Sequence, residues 1–132
     1  MRLLLLPLLH FAGVASAAEP ITGRWLTEDG KAVIAIGSCG PVTCGRVARV
    51  LVATNGPATD RNNPDPKLRG RPVVGLEILS GFTDTGRDWR GRIYDPEAGK
   101  SYKSVVSREP GGLKVQGCVM MFCRSQHWRP AR

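Results

Sequence analysis

Turn signals recur at short intervals along this chain, and the segments between them are rich in β-branched and aromatic residues. That rhythm specifies short strands. No segment sustains a helical period, so any helix is expected to be short and to lie in or beside the longest connection. Asp29-Gly30 is a hairpin signal, because both turn positions tolerate positive φ. Residues 31–37 return with Ala32, Ile34 and Ile36 on one face, and Cys39-Gly40-Pro41-Val42-Thr43-Cys44 makes the next turn. In residues 46–54 the alternation places Ala48, Val50 and Val52 together, although Val47 and Leu51 blur it. Beyond a long break, Val74, Leu76, Ile78 and Phe82 carry a strand, and on the next Trp89, Gly91 and Ile93 oppose Arg90, Arg92 and Tyr94. Asp95-Pro96-Glu97-Ala98-Gly99 and Glu109-Pro110-Gly111-Gly112 are further turns.

Roughly eight antiparallel strands in simple succession suit a small up-and-down β-barrel, an all-β fold with one long loop after the third strand. Closure removes exposed sheet edges. A barrel of that size either holds one small ligand or is filled by its own side chains. Ala32, Ala35, Ala48, Gly91 and Gly117 thin the inner wall and are compatible with both outcomes.

The first residues stand apart from that pattern. Met1-Arg2 is a short positive start, residues 3–14 are an apolar run broken by Pro7, and Ala15-Ser16-Ala17 is a small-x-small cleavage motif. Together they read as a secretory signal peptide over residues 1–17. The run is short for a spanning helix and no second one follows, so no transmembrane segment is expected in the mature chain. The mature protein would be a single domain over residues 18–132, exported to the periplasm or secreted. Without Arg2 its formal charge is 19 − 1 − 11 = +7. A basic exported chain feels anionic envelope polymers and lipid headgroups. Nucleic acid is not an expected partner, because the arginines are scattered and are not interleaved with aromatic stacking platforms.

All four cysteines fall in the mature part, as Cys39-x4-Cys44 and Cys118-x4-Cys123. In an oxidising compartment an even count at matched short spacing argues for disulfides. Three pairings are open in principle. Cys39–Cys44 with Cys118–Cys123 is preferred, because each pair flanks a short turn that can bring its β-carbons together. A four-thiolate zinc site is the competing reading, although structural zinc knuckles space their cysteines more closely.

Residues 55–72 interrupt the strand rhythm with Pro57, Pro64, Pro66 and Pro72 among Asp60, Asn62, Asn63 and Asp65. Connections this long are often lids or binding loops, and the plainer alternative is a surface loop held by aspartate and asparagine turns. Asp60, Asn62 and Asp65 are oxygen ligands suited to calcium, but the EF-hand pattern fails where Pro64 and Asp65 occupy its fifth and sixth positions. No catalytic constellation stands out. With His10 in the leader, His127 is the single histidine of the mature chain, and the acids sit largely in turns. The expectation is a non-enzyme that needs no cofactor and no metal.

Gly23-Arg24-Trp25 near the start and Trp128-Arg129 near the end are similar to the lipocalin (calycin) pattern. In that superfamily the first-strand tryptophan plugs the closed end of the barrel and an arginine of the last strand packs across it. The resemblance makes Gly23, Trp25, Trp128 and Arg129 structural, with Arg129 over the Trp25 indole. The whole mature chain also resembles an exported bacterial family catalogued as domain of unknown function 2147. The residues that carry this include Cys44-Gly45-Arg46-Val47, Asp60 with Asn63-Pro64-Asp65, Ile93-Tyr94-Asp95-Pro96, Gly99-Lys100-Ser101-Tyr102, Leu113-Lys114-Val115-Gln116-Gly117 and Gln126-His127-Trp128-Arg129. His127 stands where such chains usually carry threonine. The resemblance implies a lipocalin-like barrel, exported, with no established activity.

The leading functional expectation is non-catalytic binding of a small apolar or amphipathic molecule, with Trp89, Ile93, Tyr94 and Tyr102 as cup residues and Asp60 and Asn63 in the lid. The alternative is an envelope interaction protein whose basic surface, at Arg69, Arg71, Arg90 and Arg92, engages an anionic polymer or a protein partner.

Overall fold

The computed structural model describes residues 3–9 and 16–132; Met1-Arg2 and residues 10–15 of the expected leader lie outside the described residues. Eight strands follow one another as β1 (Gly23–Leu26), β2 (Ala32–Cys39), β3 (Val42–Val50), β4 (Glu77–Asp84), β5 (Trp89–Asp95), β6 (Lys100–Glu109), β7 (Gly112–Val119) and β8 (Phe122–Pro130). Each pairs antiparallel with its neighbours in sequence, and β1 closes the barrel against β8. The closing contact is short: Trp25 faces Pro130 and Leu26 faces Arg129. The upper part of β8, from Phe122 onward, therefore runs past the end of β1.

Period-two alternation explains most of the core. Ile34 and Ile36 of β2, Leu79 and Phe82 of β4, Val106 of β6, Leu113 and Val115 of β7 and Trp128 of β8 are buried in one apolar cluster with Trp25. Bulges break the alternation at several points, one of them where the β3–β4 register passes from Gly45–Leu79 to Arg46–Glu77. Between β2 and β3 the register passes from Val33–Arg49 to Ile34–Val47, so Ala48 is the extra residue and Val47 and Val50 both reach the core. The expected face of Ala48, Val50 and Val52 is corrected accordingly, and Val52 lies exposed beyond the strand. In β4 the shift between Ser80 and Thr83 coincides with Gly81 at φ 64°, a left-handed conformation that glycine adopts without a Cβ penalty. That strand starts at Glu77, not at Val74, which is exposed. The Asp29-Gly30 signal does make a turn, with the Gly30 amide donating to the Thr27 carbonyl, but the connection is longer than two residues because β1 stops at Leu26.

Thin wall positions leave less space than their sequence implies. A Cβ built on Gly91 would lie 2.6 Å from the Phe82 ring, and one on Gly45 would lie 2.9 Å from Leu79. Large side chains from β4 fill the room these glycines leave. Ala35 alternates with Ile34 and Ile36 and so faces outward.

The cysteines pair as Cys39–Cys44 and Cys118–Cys123, with Cα separations of 5.8 and 4.1 Å. Each bond ties the two strands of its own hairpin, and no free cysteine remains among the described residues to build a zinc site. No helix among those residues is long and apolar enough to cross a membrane. Among the described residues the one helical element is a 3-10 turn, Pro66–Leu68, within the long loop.

Candidate functional site

Strand direction gives the barrel two unlike ends. At the first, the segment before β1 crosses the barrel and is tied down three times: the Ala18 amide donates to both Asp84 carboxylate oxygens at 3.0 and 3.2 Å, the Trp89 indole donates to the Glu19 carbonyl at 2.9 Å, and the Trp25 indole donates to the Ile21 carbonyl at 2.9 Å. The cation over Trp25 is Arg108 of β6, 5.2 Å from the ring centroid. This corrects the expectation of Arg129. Arg129 pairs with Leu26, and alternation turns both away from the face that carries Trp25 and Trp128. Trp128 is buried as expected, and its indole donates to Gln126 at 2.9 Å. Gly23 adopts φ 143° with the Trp25 ring 3.5 Å from where its Cβ would lie, which accounts for the glycine by close approach.

The long loop is organised by Asp60, which has no exposed surface. The Tyr94 hydroxyl donates to one carboxylate oxygen at 2.6 Å, while Asn63 and Arg71 donate to the other at 2.8 and 2.9 Å. The loop continues the pattern outward: Asn63 accepts from the Asp65 amide, Asp65 caps the 3-10 turn at Lys67, and Arg69 donates to the Asn63 carbonyl. Burial pushes the Asp60 carboxyl up, but the hydrogen bonds from Tyr94, Asn63 and Arg71 and the Arg71 charge together hold it below its ordinary value. Tyr94 responds in the opposite sense and is pushed up to about 12, first by burial and then by donating to the Asp60 carboxylate. Asp60 and Asn63 thus fasten the loop to the barrel. Asn62 donates to the Glu97 carbonyl, so the three oxygen residues considered for calcium do not converge. Among the described residues no group of three or more His, Cys, Asp or Glu is placed to hold a metal.

These positions separate the four expected cup residues. Trp89 sits at the sealed end; Tyr94 alternates with Ile93 onto the outer face, where the loop covers it; only Ile93 and Tyr102 face each other across β5 and β6 toward the other end. Sequence reasoning missed Ser104, whose buried hydroxyl has no hydrogen-bond partner among the described residues. It occupies the inner line of β6 between Tyr102 and Val106, opposite Gly91 and Gly117. The alternation Tyr102-x-Ser104-x-Val106 is the signal that could have found it.

The second end carries the long loop and the β7–β8 turn. Here an open groove of about 450 Å³ is lined by Arg92, Lys100, Ser101, Tyr102, Lys103, Cys118, Val119 and Met120. Its charge is wholly basic. A second open groove of about 550 Å³ runs between the loop's return segment and the outer face of β3 and β4, where Arg46 pairs with Glu77 and Arg71 with Asp60. Of the four arginines expected to form a basic surface, Arg69 and Arg71 are engaged in the loop and Arg90 pairs with Asp88 at 3.3 Å, leaving Arg92 in the basic groove. His127 on β8 is occupied by Glu109 at 2.5 Å.

A closed eight-stranded up-and-down barrel, sealed at one end by a tryptophan beneath an arginine, is a lipocalin-like barrel. Over residues 23–129 the chain belongs to the bacterial family described as "Uncharacterized protein conserved in bacteria (DUF2147)". It is similar to a solved structure described as "Protein HP1028 from the human pathogen Helicobacter pylori belongs to the lipocalin family", at 20% identity and a TM-score of 0.75, covering 86% of this chain and 84% of that one. At that identity the likeness concerns the fold. No curated protein matches the chain.

Proposed function

We propose that the protein is an exported, non-catalytic binding module that engages an anionic envelope partner through the basic groove at the open end of its barrel. The observation that carries this is the groove itself, where Arg92, Lys100 and Lys103 come together without an acid while Phe82 and Leu79 occupy the interior behind Gly91 and Gly45. Filling of the interior turns the balance from a ligand inside the barrel to a partner on its surface. Two disulfides and a leader-like start support export. Retention of the mature protein on sulfated dextran at low salt is the test, since low salt strengthens surface electrostatics. Reversing Arg92 and Lys103 to glutamate is expected to weaken retention roughly tenfold or more, at about 1 kcal/mol per charge near an anionic surface. Unchanged retention overturns the reading.

A second reading keeps a small amphipathic molecule in the upper barrel, and the unpartnered Ser104 hydroxyl beneath Ile93 and Tyr102 supports it. Native mass spectrometry of protein purified from exporting cells separates the two. A bound mass that is lost in Ser104→Ala and Tyr102→Ala supports the internal site, and a uniformly empty barrel removes it.

A further inference from the structure

The β7–β8 turn presents Val119, Met120, Met121 and Phe122 with relative exposures of 57, 94, 86 and 77%. Four consecutive apolar side chains held in water are costly, and mark an interaction site. They are also held in place. The Cys118–Cys123 disulfide lies directly beneath them, Val119 faces Phe122 in the strand register, and Met120 takes φ 54° to make the turn. Arg92, Lys100 and Lys103 stand in the groove that Val119 and Met120 help to line, and Arg124 follows the second cysteine. An apolar tip with a cationic collar matches the layering of an anionic bilayer: headgroup charge outside, acyl chains within.

We infer that this tip inserts into an anionic lipid surface, with Met120, Met121 and Phe122 entering the acyl boundary and the basic collar resting on the headgroups. The inference deepens the proposed function by naming its anionic partner as a lipid bilayer. A soluble polymer would meet the collar but give the methionines and the phenylalanine nothing to enter. Met120, Met121 and Phe122 are each more than three-quarters exposed and lie outside the buried cluster, so their substitution is expected to leave the barrel intact.

The experiment is co-sedimentation of the disulfide-intact mature protein with vesicles of phosphatidylglycerol and phosphatidylcholine, against vesicles of phosphatidylcholine alone. The wild type is expected to bind the anionic vesicles, and a Met121→Ser/Phe122→Ser variant, changed only at tip residues outside the groove lining, to bind them at least about tenfold more weakly. The same variant should keep its retention on sulfated dextran. In Phe122→Trp, the added indole should shift its emission to the blue on binding. Equal vesicle binding by wild type and the tip variant overturns the insertion while leaving the basic-surface reading standing. Loss of both vesicle and dextran binding by the wild type overturns both.

A separate observation concerns the other end. The cleavage motif Ala15-Ser16-Ala17 ends where the barrel's anchorage starts, because Ala18 is buried and its nitrogen lies within hydrogen-bond distance of both Asp84 oxygens. We propose that processing after Ala17 converts this amide into an α-ammonium group that pairs with Asp84 and latches the sealed end. The peptide bond is hydrolysed by an exporting cell's leader peptidase before folding, leaving the amine on Ala18 and the carboxylate on Ala17. Intact mass of the exported protein should correspond to a start at Ala18. Extending that start by Ser16-Ala17, or replacing Asp84 with asparagine, should lower its melting temperature, and the two changes combined should cost little more than either alone. A different natural start, or additive effects of the two changes, overturns the latch.

Discussion

Trp25→Ala is expected to cost about 3–5 kcal/mol of folding stability, as full truncation of a buried aromatic does. A domain of this size has roughly 5–15 kcal/mol to lose, so the melting temperature should fall by more than roughly 10 °C. Three interactions fail together: the indole's burial in the core, its hydrogen bond to the Ile21 carbonyl that holds the crossing segment, and the surface on which Arg108 rests. Arg108→Ala should cost about 1 kcal/mol, the scale of a cation over a ring. Arg129→Ala should stay within about 0.5 kcal/mol, because its side chain is on the other face and exposed. Guanidinium midpoints of the three variants make the comparison. A larger loss at Arg129 than at Arg108 would reverse the assignment of the stacked cation, and a folded Trp25→Ala protein that has lost only its binding would show the residue to be functional instead of architectural.

Asp60→Ala should cost about 2–4 kcal/mol, because it removes the buried acceptor shared by the Tyr94 hydroxyl, the Asn63 amide and the half-exposed Arg71 guanidinium. The damage should be concentrated in the loop. Trypsin should then cut faster than in the wild type at Arg61, Lys67 and Arg69, which lie in the segment ordered by Asn63 and the 3-10 turn. The pH dependence has a defined sign. Asp60 is held below its unfolded value of about 3.9, so its contribution is present above that pH and is lost as the pH falls through the folded value. Tyr94 titrates at about 12 in the folded protein against about 10 unfolded. Its contribution is therefore complete below pH 10 and lost as the pH rises toward 12. The stability difference between wild type and Asp60→Ala should shrink at both extremes, and a flat difference across this range would show that the network contributes nothing.

Asp60 shows how far the sequence could be read. Its neighbours in residues 55–72 announced a loop held by aspartate and asparagine turns, and the bond Asn63 donates to Asp60 and the one Asp65 accepts from the Lys67 amide are of that local kind. What makes Asp60 the loop's centre is Tyr94, 34 residues further on. Nothing near Asp60 in sequence marks that partner. Trp25 is similar: its burial at a barrel's end could be expected from Gly23-Arg24-Trp25, but the arginine above it depends on which face each strand turns inward.

The exposed tip was open to reading in another sense. Val119-Met120-Met121-Phe122 is an apolar run between two cysteines, and period alone offers it to the core as readily as to solvent. The cysteine spacing already suggested a turn there; the structure adds that the run stands exposed beyond the barrel's rim, with Cys118 facing Cys123.

Sequence alone pointed to the strand count, the up-and-down order and the place of the long loop, and it favoured the disulfide pairing that the structure shows. Each rests on turn chemistry and two-residue alternation, which act over a few neighbouring positions. The tertiary structure decided the rest: Arg108 over Trp25, Tyr94 on Asp60, Phe82 in the space beside Gly91, and a basic groove beside an apolar tip. Those contacts join residues on different strands through registers that bulges at Ala48 and around Gly81 shift. One residue of slip exchanges the inside of a barrel for its outside, so no local rule could have placed them.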